Sequence, residues 1–175
     1  KRGLIDHVPE LAIADILGST EGGMGQSIMT KDTPASETAK FTLLPVAKVL
    51  VPDGSREVVP GSGEVGMVAQ GGMVPLGYYK DPEKSAKTFK EVDGKRYAFI
   101  GDMATVEADG TINLLGRGSN CINTGGEKVF PEEVEEALKL HADVADALVF
   151  GLEDERFGNR VAGVVSLEQG GSAEA

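Results

Sequence analysis

The sequence predicts a mixed fold, α/β at its start and α+β taken whole. Three observations carry that expectation. An apolar run over 11–17 leads into Gly18-Ser19-Thr20-Glu21-Gly22-Gly23, and a strand that ends in a glycine-rich polar turn is the usual setting of a site in an α/β sheet. Short alternating segments broken by Gly and Pro fill 43–69 and read as strands. A helix signal at Pro131 is followed by two further strand-like runs, 146–152 and 160–167.

The elements follow in order. The chain starts on the end of a helix, which Pro9 breaks, and the strand over 11–17 comes next. Residues 30–42 are polar and rich in Ser and Thr, so they read as a surface loop. Between 43 and 69, turns at Pro52-Asp53-Gly54 and Gly61-Ser62-Gly63 separate short strands, the pattern of a small irregular β-barrel or sheet. Asp81-Pro82-Glu83 opens a helix that ends near Phe89. Asp caps, Pro fits the first turn, and Glu faces the positive end of the helix dipole. Strands over 96–107 and 110–115 join at Asp109-Gly110, a hairpin signal. Gly116-Arg117-Gly118-Ser119-Asn120 then reads as a linker or hinge. Cys121-Ile122-Asn123 is a short strand, Gly125-Gly126 a turn, and Pro131 the start of a helix. Val134, Ala137 and Leu138 share one face of that helix. Glu132 and Glu133 lie in its first turn, and Lys139 and His141 near its end, as the dipole prefers. The tail from 168 is polar and small, and no repeat or heptad pattern is present.

Bulk composition narrows the function. The 175 residues carry a net charge of −11, which argues against nucleic acid or an anionic membrane as the main partner. Tryptophan is absent and aromatics are 5%, so a base-stacking platform is not expected. Cys121 is the single cysteine; it forms no internal disulfide, fits a reducing compartment, and reads as a small core residue rather than a nucleophile. No apolar run approaches the roughly 18 residues that span a bilayer. His7 and His141 are isolated, and no spacing suggests zinc.

The chemistry-bearing residues fall into separate groups. Backbone amides of Gly18-Ser19-Thr20 can face phosphate oxygens, and Glu21 is a hard-oxygen ligand for Mg²⁺; the same residues also suit a plain strand-to-loop turn. Asp102, after Gly101, can accept from two ribose hydroxyls or stand solvated. Arg117 offers a fork of donors for ribose or phosphate, or pairs with a surface acid. Gly125 and Gly126 permit close approach to a narrow ligand. Glu132, Glu133, Glu135 and Glu136 read as an ordinary solvated helix face.

The order of these groups resembles the adenylate-forming superfamily of acyl-CoA synthetases, peptide-synthetase adenylation domains and luciferases. Gly18-Ser-Thr-Glu21 is similar to its Tyr-Gly-x-Thr-Glu signature. Gly63-Glu-Val-Gly66, Gly77-Tyr78, Pro82-Glu83 and Phe89 resemble its next motif. Gly101-Asp102, Gly116-Arg117 and the stretch 125–135 follow in the family's order. The stretch 121–135 resembles actinobacterial fatty-acyl and steroid side-chain CoA ligases.

The resemblance implies the end of an α/β subdomain, a small distorted β-barrel subdomain and the first part of a small α+β cap domain. It assigns 1–116 to the large domain, 117–120 to the hinge and 121–175 to the cap. It implies that Thr20 contacts ATP and then AMP phosphate, with Gly18 and Ser19 beside it, and that Glu21 holds Mg²⁺. Thr20 and Glu21 are the implied catalytic pair. Asp102 and Arg117 are implied to bind ribose, Gly22, Gly23 and Met24 to border the acyl pocket, and Ser119 to be the pivot. Gly125 and Gly126 are implied to line the pantetheine tunnel of coenzyme A. The implied reaction forms an acyl-adenylate and then an acyl-CoA thioester from ATP, CoA and a carboxylic acid, a fatty acid or a steroid side-chain acid. An adenylation domain that loads a carrier protein and a non-catalytic nucleotide-binding module are the alternatives. The implied location is cytoplasmic or peripheral to the membrane.

Departures are specific. Leu17 stands where the family has an adenine-stacking Tyr, Ser119 where Asp or Lys is common, and Asn123 where Lys is common. The family's phosphate loop and late lysine have no counterpart here. The expectation is a fragment of a longer chain, inactive without the rest.

Overall fold

The structure, a computed structural model, describes residues 2–33 and 40–171. Residues 34–39 of the expected polar loop and 172–175 of the expected tail lie outside the described residues. The chain divides into two compact units, Lys1–Leu114 and Leu115–Ala175.

The first unit starts with helix α1 (Arg2–His7) and the strands β1 (Ile13–Ser19) and β2 (Gly22–Met29). β3 (Lys40–Leu43), β4 (Ala47–Leu50) and β5 (Gly66–Gln70) follow, then helix α2 (Pro82–Thr88), β6 (Phe89–Val92), β7 (Lys95–Val106) and β8 (Ile112–Arg117), whose last three residues fall in the second unit. The strands form one sheet in the order β1-β2-β3-β8-β7-β5-β4, with β6 paired to β7. The registered pairs are antiparallel.

The mixed α+β expectation holds, but the barrel does not close. The sheet path ends at β1 and β4, which do not pair with each other among the described residues. Closure depends on edge strands meeting at a fixed stagger, and local periodicity carries no information about that. The central strands are buried on both faces: Val68, Ala69, Ala98 and Ala104 are inaccessible to solvent. Leu17, Met24, Val49, Val68, Ala104 and Ile112 form one core cluster, and Leu50, Ala69, Tyr97 and Phe99 another.

Helix α2 forms for the expected reason. Asp81 is its N-cap, and its carboxylate accepts from Lys84 N at 2.9 Å, with Pro82 in the first turn. Three strands escape the sequence reading. Lys40, Phe41 and Thr42 belong to β3, not to a loop. β2 carries three glycines, and low β-propensity hides it. β6 hides behind a helix-stop reading of Asp93-Gly94. Those two residues have φ of 50° and 70° and close a tight β6–β7 hairpin, Val92 opposite Lys95.

The second unit contains a 3-10 turn (Gly118–Asn120), β9 (Ile122–Thr124), β10 (Glu127–Val129), helix α3 (Pro131–Leu138), β11 (Val144–Asp154) and β12 (Gly158–Leu167). β9 pairs β10 and β11 pairs β12, both antiparallel. β10 is a further element the sequence reading passes over. Cys121 is half-buried at the end of the 3-10 turn rather than in the core. The acids of α3 are not all solvated, because Glu135 accepts the backbone N–H of Val149 at 2.7 Å and so ties the helix to β11. No helix among the described residues is long and apolar enough to cross a membrane.

Truncation of the fully buried Ile112 to Ala should destabilise the protein by about 2–5 kcal/mol through lost burial and the cavity left behind. Asp81→Ala, which removes only a cap, should cost about 1 kcal/mol. Urea denaturation of both variants checks the ranking.

Candidate functional site

The glycine-rich segment is a hairpin rather than an open loop. Ser19 pairs with Gly22, so Thr20 and Glu21 alone make the turn between β1 and β2, and the register shifts between Leu17 and Gly18. Leu17 is buried in the core rather than offered to a ligand, and Met24 is buried with it. Gly23 is exposed, whereas Gly22 is half-buried.

Gly22 is a requirement of this packing. Its φ is 149°, and an added Cβ would lie 2.5 Å from Gln70 Nε2. Gln70 is 5% exposed, at the end of β5. Its Nε2 donates to Gly71 O at 2.7 Å, and its Oε1 is buried without a hydrogen-bond partner. A polar residue closing an otherwise apolar strand was the available signal for Gln70, and sequence reasoning passed over it.

Glu21 is held on both oxygens. The Tyr78 hydroxyl donates to Oε1. Thr20 Oγ1 donates to Oε2 at 3.0 Å, and Glu21 N donates to Ser19 Oγ at 3.1 Å. Hydrogen bonds to the carboxyl, that of Tyr78 first, then those of the Ser19 and Thr20 side chains, outweigh burial and hold it down at about 2. The same carboxylate pushes the Tyr78 phenol up. Tyr78 is anchored in turn: its N–H donates to Ser85 Oγ at 2.7 Å, its ring centroid is 5.2 Å from that of Phe89, and Lys84 Nζ sits 4.5 Å from its ring centre.

Asp102 lies within β7, as the strand read over 96–107 implies. Met67 pairs with Met103 and Ala69 with Phe99, so Ile100, Gly101 and Asp102 stand opposite the single Val68. This is a bulge, the local device that re-aims a side chain. Asp102 is 8% exposed. Among the described residues, no group of three or more His, Cys, Asp or Glu gathers into a metal cage.

The expected hinge and tunnel residues belong to the second unit. Arg117 ends β8, and Ser119 is the middle of the 3-10 turn. Gly116 has φ 119°, and a Cβ there would overlap the Glu132 carboxylate. Asn120 Nδ2 donates to Glu132 Oε1 at 3.2 Å, and Glu132 Oε2 is buried without a partner. Glu132 therefore packs against the turn, contrary to the solvated reading. Gly125 and Gly126 form the β9–β10 turn. Gly125 N donates to Phe157 O at 3.0 Å, and the Phe157 ring lies close to Gly125.

Comparison with known proteins adds to this geometry. Residues 133–175 match the family described as the AMP-binding enzyme C-terminal domain. A protein named medium/long-chain-fatty-acid–CoA/3-oxocholest-4-en-26-oate–CoA ligase, from Mycolicibacterium smegmatis, is 50% identical over 171 residues, covering 97% of this chain and 31% of its own. A 3-oxocholest-4-en-26-oate–CoA ligase of Rhodococcus rhodochrous is 50% identical over 173 residues, with the same coverage of both chains. The chain belongs to the adenylate-forming superfamily. Among solved structures, ATP-bound MatB from Rhodopseudomonas palustris is 28% identical with a TM-score of 0.75, covering 93% of this chain and 32% of that one. As a superfamily member, the chain spans about a third of the length of the curated relatives it matches.

Gly22→Ala in this superfamily member should cost about 1–3 kcal/mol, from strained φ and contact with Gln70. A Gln70→Ala background should return only the contact part, as read by urea denaturation. The Glu21–Tyr78 bond also has a pH signature. Glu21 falls from 4.5 to about 2, so its contribution is complete above about 4.5 and is lost as pH falls toward 2. Tyr78→Phe should be less stable than the parent at neutral pH, and the gap should narrow below pH 4.5. Urea titrations across that range measure the narrowing.

Proposed function

We propose that the full-length protein is an ATP-dependent acid:CoA ligase that forms an acyl-adenylate and then an acyl-CoA thioester. One observation carries the reading: identity of 50% with two CoA ligases runs through 97% of this chain and so through both units. Their names point to a large apolar acid as substrate, a fatty acid or a steroid side-chain carboxylate. A cytoplasmic location fits a chemistry that draws on ATP and CoA.

In the first half-reaction a carboxylate oxygen attacks the α-phosphorus of ATP, and the bond to pyrophosphate breaks. Little bond chemistry falls to the protein, which aligns the reactants and offsets charge. Thr20 donates its hydroxyl to phosphate oxygen. Asp102 accepts from ribose hydroxyls, and Arg117 reaches the ribose from the hinge side. The first unit is then the end of the large domain, residues 117–120 the hinge, and the rest the start of the cap. In the second half-reaction the cap turns near Ser119, the Gly125–Gly126 turn lines the path of the pantetheine arm, and the thiol displaces AMP.

A divalent cation fits the residues present. Mg²⁺ binds through one or two carboxylates together with substrate phosphates and waters rather than in an all-protein cage. Glu21 supplies one ionised carboxylate, with the hydroxyls of Ser19 and Thr20 beside it. The cation supplies charge neutralisation at the phosphates.

The full-length protein should release pyrophosphate from ATP when given a medium- or long-chain fatty acid or a steroid side-chain acid, and should form thioester when CoA is added. Acid-independent release, or none, removes the ligase reading; release with no use of CoA removes only the second step. Asp102→Ala should weaken ATP binding by roughly 2–3 kcal/mol, measured by calorimetry.

A further inference from the structure

Tyr78 has no part in the roles that the family resemblance assigns, yet among the described residues it makes the one bond that reaches the Glu21 carboxylate from outside its own turn. The two residues are 57 positions apart in sequence. Three features single out the hydroxyl rather than the ring. Oε1 of Glu21 is bonded by Tyr78 and Oε2 by Thr20. The ring has its own supports in Phe89 and Lys84. The backbone of Tyr78 is fixed to α2 through Ser85, whose hydroxyl also donates to Asp81 O at 2.6 Å. The phenol is thus set on a capped helix end and aimed at a turn residue of another strand pair.

We propose that Tyr78 is a positioning residue for Glu21, fixing one carboxylate oxygen so that the other is presented to the cation that accompanies ATP. The inference rests on the ligase reading. Thr20 has a single hydroxyl proton. Given to Glu21, it occupies Oε2; given to a phosphate oxygen, it leaves Oε2 open. Tyr78 has no such competing duty, and its bond to Oε1 is kept in both arrangements. Each carboxylate oxygen keeps further lone-pair capacity, so the bond orients Glu21 without consuming it. Without the phenol, release of the Thr20 proton would leave the side chain free to turn among its rotamers. The ordering cost would then fall on the step in which metal and nucleotide bind.

The test uses the full-length protein and measures ATP affinity by calorimetry, with Mg²⁺ and with EDTA. Tyr78→Phe keeps the ring between Phe89 and Lys84 and keeps the backbone bond to Ser85. ATP affinity in Mg²⁺ should fall about tenfold, about 1.4 kcal/mol, with affinity in EDTA unchanged. Glu21→Gln should lose the Mg²⁺ dependence by itself, and adding Tyr78→Phe to it should change nothing more, since both act through one interaction. The thioester-forming step, started from preformed acyl-AMP and CoA, should proceed at the parent rate in Tyr78→Phe. Equal weakening with and without Mg²⁺ would show a purely structural residue and overturn the proposal. So would an unchanged Mg²⁺ dependence, or an additive effect in the double variant. A parent protein that binds no ATP in either condition removes the ligase reading, and the inference with it.

Discussion

The closeness of the segment 66–78 to the 18–23 hairpin is the constraint on which the first unit's site depends. Thr20 and Glu21 sit at the tip of a two-residue turn, and a carboxylate in that position would ordinarily be averaged by solvent. Two contacts remove that freedom. Gln70 packs against Gly22, which no side chain could replace without overlap, and Tyr78 bonds Glu21. The constraint extends backwards to an ordinary helix cap. Asp81 starts α2, Ser85 on its first turn holds the Tyr78 backbone, and Tyr78 holds Glu21. A local sequence rule for starting a helix is thereby converted into the orientation of a charged group on a distant strand pair.

The second unit shows the same economy with acids. An acid-rich helix start usually faces water, where it gains a few tenths of a kcal/mol from the dipole. In α3 two of the acids instead act as acceptors. Glu135 takes a backbone N–H from β11, and Glu132 takes the Asn120 amide while covering Gly116. The residues expected to form a free linker are therefore partly tied to the helix that follows them. The turn containing Ser119 is bonded to its own unit through its neighbour Asn120.

Much of this was legible in the sequence, and the illegible parts share a cause. Asp81-Pro82-Glu83, Asp109-Gly110 and Pro131 signal their elements because capping and turn chemistry are local. The pair of strands after α3 was equally plain, since Leu148, Val149, Val164 and Val165 lie in uninterrupted apolar runs. β2 and β6 were hidden because glycines dilute one and four residues are too few to show a period in the other. The site was read with its residues in the correct turn but without what fixes them. Glu21 and Thr20 could be named from type and order. Their partners Tyr78 and Gln70 are set by tertiary packing: β2 and β5 are not neighbours in the strand order, yet Gln70 of β5 lies against Gly22 of β2, and no spacing rule encodes that. Asp102 falls inside the strand read over 96–107, but nothing in the sequence marks the irregularity beside it. Only the pairing register shows the bulge.

Glu21 itself poses an electrostatic problem whose answer bears on the chemistry. Three hydroxyl or amide groups and little burial hold it ionised at any physiological pH, at about 2. A nucleotide phosphate brought to Thr20 therefore meets a fixed negative charge within a few ångströms, on a chain whose net charge is already −11. At an effective dielectric near 20, two like charges about 4 Å apart repel by about 4 kcal/mol, more than one hydroxyl donor returns. A phosphate cannot be held there by Thr20 alone. A divalent cation between the two anions reverses the sign of the interaction. The carboxylate that makes the turn unfavourable to bare phosphate is thus the one that would make it favourable to a metal-borne nucleotide. On the proposal above, the Tyr78 hydroxyl acts on the orientation of that carboxylate and not on its charge, which is complete at neutral pH with or without the bond.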